Sequence, residues 1–247
     1  MRVNSIKEIR RRLESGVDPQ KCIVARVSPL RWAASRNRIT TVRILLEFGH
    51  PVAGVLGHAC RGGSPVVLQA LIDAGADVNE TGFYVIEHWL CTPLMVAVNR
   101  NDPSLVKFLL DAGAKTEVVS PYGICSPLLQ YLGPEVTKLL LDAGANVHVR
   151  LSGIEGALTP LHYTTDPSIA KLLIEYGADL EADSQGGTPL RNVVISPPGR
   201  YPPGAAEALI KLFVEYGADT TPGVAALEYA EDPNIVEMLT PRPKKAT

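Results

Sequence analysis

The chain has 247 residues, of which 46% are hydrophobic, and its formal net charge is −2. This composition is ordinary for a folded globular protein, and no apolar run approaches the ~18 residues of a membrane-spanning helix. Arg10, Arg11 and Arg12 stand where a secretory signal peptide needs its apolar stretch, so we expect a cytoplasmic or nuclear protein that does not associate with membranes.

The charge is distributed unevenly along the chain. Residues 1–50 hold 11 Lys or Arg and 4 Asp or Glu, whereas residues 51–240 hold 10 and 22. Such an asymmetric charge distribution bears on which partners the protein can bind and not on its fold. The basic end is suited to an acidic peptide or a phosphate, although a solvated capping face would have the same composition. The net acidity of the remainder argues against nucleic-acid binding, which usually needs a continuous basic face.

The first predicted element is a helix that begins at a capping box, Ser5 with Glu8, and ends at Gly16. We interpret residues 1–27 as an N-terminal capping half-repeat. Residues 28–240 hold the repeated units described next. Residues 241–247 form a polar, basic tail in which Arg242, Lys244 and Lys245 alternate with Pro.

Two short phrases recur from residue 28 onwards. Ser or Thr followed by Pro predicts a helix start with the hydroxyl as N-cap, and Leu-Leu or a similar pair three residues before Gly predicts a helix end. The first phrase begins at Ser28, Thr92, Ser126, Thr159 and Thr188. The glycines of the second are Gly16, Gly49, Gly75, Gly113, Gly144, Gly177 and Gly217, about 33.5 residues apart on average. Each unit is therefore helix, turn, helix and loop.

The units differ from one another in informative ways. The second opens with Gly54 and Val55 instead of Ser/Thr-Pro, so its first helix is less well specified. The fourth and fifth units run 20 residues, from residue 126 to 146 and from 159 to 179, where the first and third run 23, which predicts helices shorter by nearly one turn. In the sixth unit, the Pro- and Gly-rich residues 197–204 predict a protruding loop between two helices.

The phrase Thr159-Pro160-Leu161-His162, together with the Gly-Ala-Asp endings, resembles the ankyrin repeat over roughly residues 5–240. The resemblance implies an all-α, ankyrin-like repeat solenoid of about seven helix-turn-helix units with an N-terminal capping helix. It also implies a concave face built by loops and inner helices, and a structural hydrogen bond between loops for His162.

Four cysteines, at positions 22, 60, 91 and 125, are expected to be free thiols. Cys91 and Cys125 hold equivalent places in neighbouring repeats, about 8–10 Å apart, whereas a disulfide needs Cα atoms within ~7 Å. No nucleophile arrangement, metal cluster or phosphate loop has convincing spacing, so we predict no catalytic residue, no metal site and no cofactor.

Candidate partner-binding residues come from the inner helices and the connecting loops. The inner-helix residues Arg36, Arg61 and Arg100 form a ladder of one Arg per repeat that could bind a partner. An equally good interpretation is that these arginines pair with local carboxylates. The loop aromatics are either packing over the core or binding anchors. The candidates are Arg36, Arg61, Tyr84, Trp89, Arg100, Tyr122, Tyr131 and Tyr163.

We therefore expect a non-catalytic protein-interaction scaffold or adaptor that binds a partner segment, such as an acidic one, in its concave groove. The alternative is a small-molecule-binding protein or an enzyme built on an irregular ankyrin scaffold. A closed pocket in the concave face, lined by Trp89, Tyr122, Tyr131 and Tyr163, would favour this alternative, and a shallow open groove would disfavour it.

Overall fold

The computed structural model describes residues 10–11, 13–16, 28–82, 92–120, 123–130, 133–150, 158–197, 199–221 and 239. These residues are predominantly helical, which confirms the predicted fold class. The chain divides into two compact units, Met1–Ser120 and Pro121–Thr247. The helix predicted from Ser5 and the last predicted unit lie largely outside the described residues, although residues 10, 11, 13 and 14 are helical.

The described part of the first unit is built from paired helices. The pairs are α1 (Pro29–Ser35) with α2 (Ile39–Glu47), α3 (Leu56–Gly62) with α4 (Pro65–Asp73), and α5 (Pro93–Asn99) with α6 (Pro103–Asp111). A short strand, β1 (Val118–Ser120), ends the unit. Helices α1, α3 and α5 pack side by side in that order, and α2 packs against α4. The fully buried side chains between these two layers are mainly leucines, such as Leu30, Leu68 and Leu109.

The second unit repeats this arrangement with shorter first helices. Its elements are β2 (Gly123–Cys125), the 3-10 turn η1 (Pro127–Leu129), α7 (Pro134–Asp142), α8 (Pro160–Tyr163), α9 (Pro167–Glu175), α10 (Pro189–Val194) and α11 (Ala205–Glu215). Where α1, α3 and α5 each have 7 residues, η1 has 3 and α8 has 4. The predicted shortening of the fourth and fifth units is confirmed.

Helix boundaries follow the capping chemistry that the sequence predicts. The hydroxyls of Ser28 and Thr92 accept hydrogen bonds from backbone N–H groups three residues later, and the carboxylate of Asp102 does the same at α6. The glycines that end the second helices have φ between 73° and 90°, where other residues would place Cβ against the backbone. At these helices, the local sequence therefore fixes the first and last turns.

His162 has the structural role that the resemblance implies. Its side chain is 2% exposed, its Nδ1 accepts from Thr159 N at 3.2 Å, and its Nε2 donates to the Gly187 carbonyl at 3.0 Å. Burial holds the pKa of His162 below its ordinary value. The neutral ring thus joins two successive loops of the second unit.

Helices long and apolar enough to cross a bilayer are absent from the described ranges.

Candidate functional site

Helix α3 forms although its sequence lacks the usual Ser/Thr-Pro start. The missing cap is supplied by Glu80, whose Oε2 accepts from Gly54 N at 2.7 Å and whose Oε1 accepts from Leu56 N at 2.9 Å. A helix N-terminus leaves several N–H groups without partners, and a carboxylate satisfies them well. The half-buried Glu80 therefore specifies a helix start that local sequence does not.

Two basic side chains converge on the same end of α3. The guanidinium of Arg31 lies against Gly54, so closely that a Cβ added there would stand 2.5 Å from Arg31 Nη2. His58 Nδ1 lies 3.2 Å from the Gly54 carbonyl oxygen. Burial lowers the pKa of His58, and the charges of Arg31 and Arg61 lower it further. His58 is thus flanked by one arginine from α1 and one from its own helix.

The other ends of α1 and α3 are in unusually close contact. A Cβ added at Gly62 would stand 2.7 Å from the Ala34 carbonyl oxygen and 3.4 Å from Asn37 N. Non-hydrogen-bonded heavy atoms do not approach that closely, so only glycine fits at this position. This contact sets the distance between the two helices at the level of Arg36 and Arg61.

Arg100 reaches from α5 to the same place. Its Nη1 donates to the Arg61 carbonyl oxygen at 2.9 Å, and its Nη2 covers Gly63. A cation at a helix C-terminus complements the carbonyl groups exposed there. Arg100 is therefore partly structural. It is engaged locally, as the alternative interpretation of the ladder arginines holds. Its acceptor, however, is a backbone carbonyl and not a carboxylate.

The predicted ladder does not consist of one equivalent position per repeat. The residues with left-handed backbone after the first helices are Asn37, Gly63 and Asn101, with φ of 54°, 68° and 49°. The residues immediately before these three positions are Arg36, Gly62 and Arg100, which are therefore equivalent. Arg61 lies one position earlier in its repeat.

We call Arg31, Arg36, His58, Arg61 and Arg100 the basic face of the first unit. Arg36 is exposed at the C-terminal end of α1, and Arg100 is exposed at the end of α5. Arg31 and His58 are half-buried near the start of α3, and Arg61 is half-buried near its end. Glu80 adds one negative charge at the edge of this group, where both of its oxygens accept backbone hydrogen bonds. The arrangement is suited to binding an anionic group.

Of the candidate aromatic residues, Tyr163 is the one that lies among the described residues. Tyr84, Trp89, Tyr122 and Tyr131 lie outside the described residues. Tyr163 is half-buried at the end of α8 and lines a cavity of about 70 Å³ in the second unit. The cavity floor is formed by Leu128, Pro160 and Ile169. Of the four aromatics whose closed pocket would favour small-molecule binding, only Tyr163 lies among the described residues.

The cysteines behave as expected where they are described. Cys60 is a free, buried thiol on α3, and burial raises its pKa to about 12. Cys22, Cys91 and the side chain of Cys125 lie outside the described set, so their redox state stays a prediction. In the ranges given above, no group of three or more His, Cys, Asp or Glu side chains is arranged to hold a metal ion.

Sequence reasoning missed several residues that matter to these sites. Arg31 and His58 are adjacent to the predicted ladder but were not selected, because the charge of an inner-helix residue does not reveal its cross-repeat neighbours. Glu80 lies 24 residues after Leu56, and only the missing cap at Gly54 hinted that a distant acceptor was required. For Gln130, which lines the cavity, the sequence offered no signal.

Comparisons with known proteins agree with the helix pattern. Residues 30–120 match a family model described as ankyrin repeats (3 copies). No curated protein matches the sequence. The crystal structure of the human ASB11 ankyrin repeat domain superposes with a TM-score of 0.65 at 24% identity, covering 88% of this chain and 100% of that one. The ankyrin repeat domain of Bcl-3, titled a unique member of the IkappaB protein family, gives 0.64 at 20% identity, covering 86% and 98%. The fold is that of ankyrin repeat domains, and residues 30–120 are ankyrin repeats.

Proposed function

We propose that this ankyrin repeat protein is a non-catalytic interaction scaffold whose first unit holds an acidic segment of a partner protein on the basic face. Ankyrin repeat domains generally bind other proteins, which supports the first half of the proposal. The observation that carries the second half is the convergence of Arg31, His58, Arg61 and Arg100 across three successive helices.

The charge balance of the basic face favours an anionic partner. Among the residues that the structure describes, Glu80 is the carboxylate that stands beside the four arginines of this face, and it already accepts two backbone hydrogen bonds. The bond from Arg100 to the Arg61 carbonyl uses one of the five N–H donors of a guanidinium. Guanidinium groups bind carboxylates in bidentate geometry, and they hold their charge at every physiological pH. Acidic side chains of an extended segment therefore match this surface.

The spacing of the arginines favours a segment of chain over a small anion. Helices that pack side by side stand about 8–10 Å apart, so Arg36 at the end of α1 and the Arg100 guanidinium over the end of α3 are separated by about one such step. A single phosphate or carboxylate cannot contact both ends. A peptide with several acidic residues can, because an extended chain advances about 3.3 Å per residue.

The small-molecule alternative has less support among the described residues. Ligand pockets usually enclose about 300–1,000 Å³. The cavity beside Tyr163 encloses about 70 Å³, which is too small for a drug-sized molecule or a cofactor. The depression between α2 and α4 is larger, about 590 Å³, but it is a shallow groove open to solvent and not a closed pocket. We therefore keep interaction with another protein as the proposal.

The test is affinity purification from the native source with three baits, followed by mass spectrometry. The baits are the wild-type protein, a face variant carrying Arg36→Ala, Arg61→Ala and Arg100→Ala, and a control variant carrying Arg43→Ala, Lys107→Ala and Lys171→Ala. All six positions bear a positive charge, and the three control residues are exposed on the second helices α2, α6 and α9. Both variants therefore lose the same net charge.

The proposal requires a partner that the wild-type and control baits retain and the face variant loses. The segment bound should be acidic, and its affinity should fall as salt rises, since exposed charge pairs are screened. A partner retained equally by the face variant, or bound with no dependence on salt, would place the interaction elsewhere.

A further inference from the structure

Helix α4 departs from the other second helices at three positions that are not buried. The six described second helices, α2, α4, α6, α7, α9 and α11, can be aligned on the glycine that follows each of them. Nine residues before that glycine, α4 has Val66, where the others have Thr, Ser, Glu or Ala. Six residues before it, α4 has Gln69, where the others have Lys or Arg, and five residues before it, α4 has Ala70, where the others have Ile, Phe or Leu. The outer face of α4 is therefore less charged than its counterparts and differs from them in shape.

These differences shape a groove between α2 and α4. The groove encloses about 590 Å³ and is open to solvent. Ala70 lies in it where the other second helices have a larger side chain, and Leu46 of α2 lines it from the neighbouring helix. Val66 protrudes beside this hollow and is 56% exposed, the highest value for a large apolar residue in the described part of the chain. One helix thus presents a protrusion and a hollow, one turn apart.

The charges of the two helices change sign from one end to the other. Arg38 is exposed at the start of α2, and neither α2 nor α4 has an acidic residue in its first turn. Glu47 and Asp73 are exposed at the ends of the two helices. Glu47 also forms an ion pair with Arg10 at 3.0 Å. The surface is therefore basic where α2 begins and acidic where α2 and α4 end.

We propose that this groove is the interface of a homodimer, in which α2 and α4 of one copy pack antiparallel to α2 and α4 of a second copy across a two-fold axis. Val66 of each copy then enters the hollow at Ala70 of the other, which is the reciprocal contact that a two-fold interface requires. The antiparallel direction also brings Arg38 of each copy towards the acidic end of the other groove.

Two features favour a second copy over an unrelated partner. A foreign helix would need a hollow for Val66 as well as a side chain for the hollow at Ala70, whereas a second copy supplies both. Gln69 lies between these two positions, close to the two-fold axis, so it faces its own counterpart. A lysine or arginine there would face a like charge, which is destabilising in an interface, and α4 is the one helix of the six without such a charge.

The interface leaves the basic face of the first unit uncovered. The basic face lies on α1, α3 and α5, which form one layer of the unit, and the groove lies on the other layer, where α2 packs against α4. The inference therefore does not rest on the binding of an acidic partner.

The test measures the dissociation constant of the dimer by sedimentation equilibrium of the full chain at a series of protein concentrations. Val66→Ser removes the protrusion, and Ala70→Leu fills the hollow. Each introduces the residue that another second helix has at the same position, Ser104 and Leu139, so the fold should be retained. Val214→Ser is the matched control, because Val214 is 46% exposed on α11, outside the groove.

Two further variants test the direction of packing. Arg38→Glu makes the start of α2 acidic, so the antiparallel dimer would bring like charges together. Arg36→Glu makes the same charge change at an exposed position at the end of α1, on the other layer. Thermal melts of all five variants establish that each one folds.

We expect the wild type to be in reversible equilibrium between monomer and dimer. Val66→Ser should raise the dissociation constant about 100-fold, since each dimer loses two buried valines. Ala70→Leu should abolish the dimer, and Arg38→Glu should raise the dissociation constant about ten-fold. Val214→Ser and Arg36→Glu should dimerise as the wild type does.

Several results would overturn the inference. One is a wild-type chain that is monomeric at every concentration. Another is a dimer that folded Val66→Ser and Ala70→Leu leave unchanged, or that Val214→Ser weakens as much as Val66→Ser does. A dimer that Arg38→Glu does not weaken would overturn the antiparallel arrangement. Each of these results is independent of whether the arginines of the basic face bind an acidic segment.

Discussion

Glu80 caps helix α3 by accepting the backbone N–H of Leu56 at 2.9 Å, across 24 residues of sequence. The same carboxylate accepts the N–H of Gly54 at 2.7 Å. One residue of the loop after α4 thus determines whether the preceding first helix starts correctly. The first unit consequently depends on a contact that joins the two ends of a repeat.

Replacing Glu80 by Ala should destabilise the protein by about 1–2 kcal/mol, because it removes an N-cap with two acceptors. Glu80→Gln should lie between this variant and the wild type, since an amide has a single acceptor oxygen. The free energy of unfolding from denaturant titration measures both. The matched control is Glu215→Ala, at an exposed position at the end of α11. If Glu215→Ala loses as much unfolding free energy as Glu80→Ala, capping does not explain the destabilisation.

Gly62→Ala should destabilise by about 1–3 kcal/mol, the usual cost of overpacking. Alanine favours a helix over glycine by about 1 kcal/mol, so a stabilising effect would be expected if space allowed. The Cβ would instead stand 2.7 Å from the Ala34 carbonyl oxygen, and a backbone atom cannot move aside cheaply. Gly186→Ala is the comparison, because its Cβ would meet nothing closer than 3.6 Å. If both variants melt at the wild-type temperature, α1 and α3 have room to separate.

Stability should fall as the pH decreases from 7 to 5, and His162 should contribute to this fall. Burial lowers the pKa of His162 in the folded state, so the unfolded chain binds a proton more readily. The contribution of His162 to the free energy of unfolding is then complete above the ordinary histidine pKa of about 6.5 and is lost as the pH falls below it. His58 contributes in the same direction.

NMR titration of the ring protons gives the midpoint of His162 directly, and it should lie below that of histidine in the unfolded chain. His162→Gln keeps one acceptor and one donor without titrating, so the dependence of its unfolding free energy on pH should be weaker. A His162 midpoint at or above the unfolded value would contradict the assignment of a neutral, buried ring.

The Cys60 thiol should resist alkylation at pH 8 in the folded protein. Burial raises its pKa to about 12, so almost none of the reactive thiolate is present. Peptide mapping by mass spectrometry after brief iodoacetamide treatment should find Cys60 unmodified, whereas the same treatment in denaturant should modify it fully. Rapid labelling of Cys60 in the folded state would mean that α3 opens readily or is less buried than described.

Local chemistry made most of the fold predictable. Ser/Thr-Pro starts and glycine ends act within four residues, so Thr92 and Gly113 could be interpreted without knowledge of their neighbours. The length of the fourth and fifth units likewise predicted η1 and α8. Helix α3 was harder, because its cap comes from Glu80 in a different part of the repeat.

The candidate site was less predictable, because it depends on contacts between repeats. The sequence selected Arg36, Arg61 and Arg100 by position along a helix. It could not show that Arg100 bonds to the backbone of Arg61.

The three-residue turn η1 also has a consequence for cooperativity. In a linear array, each repeat is stabilised by its own folding and by the interface with the next repeat, so a small interface couples its neighbours weakly. η1 meets α7 and α8 through one turn, so the interface between its repeat and the next is carried mainly by the packing of α7 against α9. Opening that begins here need not spread to α10 and α11. Amide exchange in the second unit should therefore separate into a faster group around η1 and a slower group around α11.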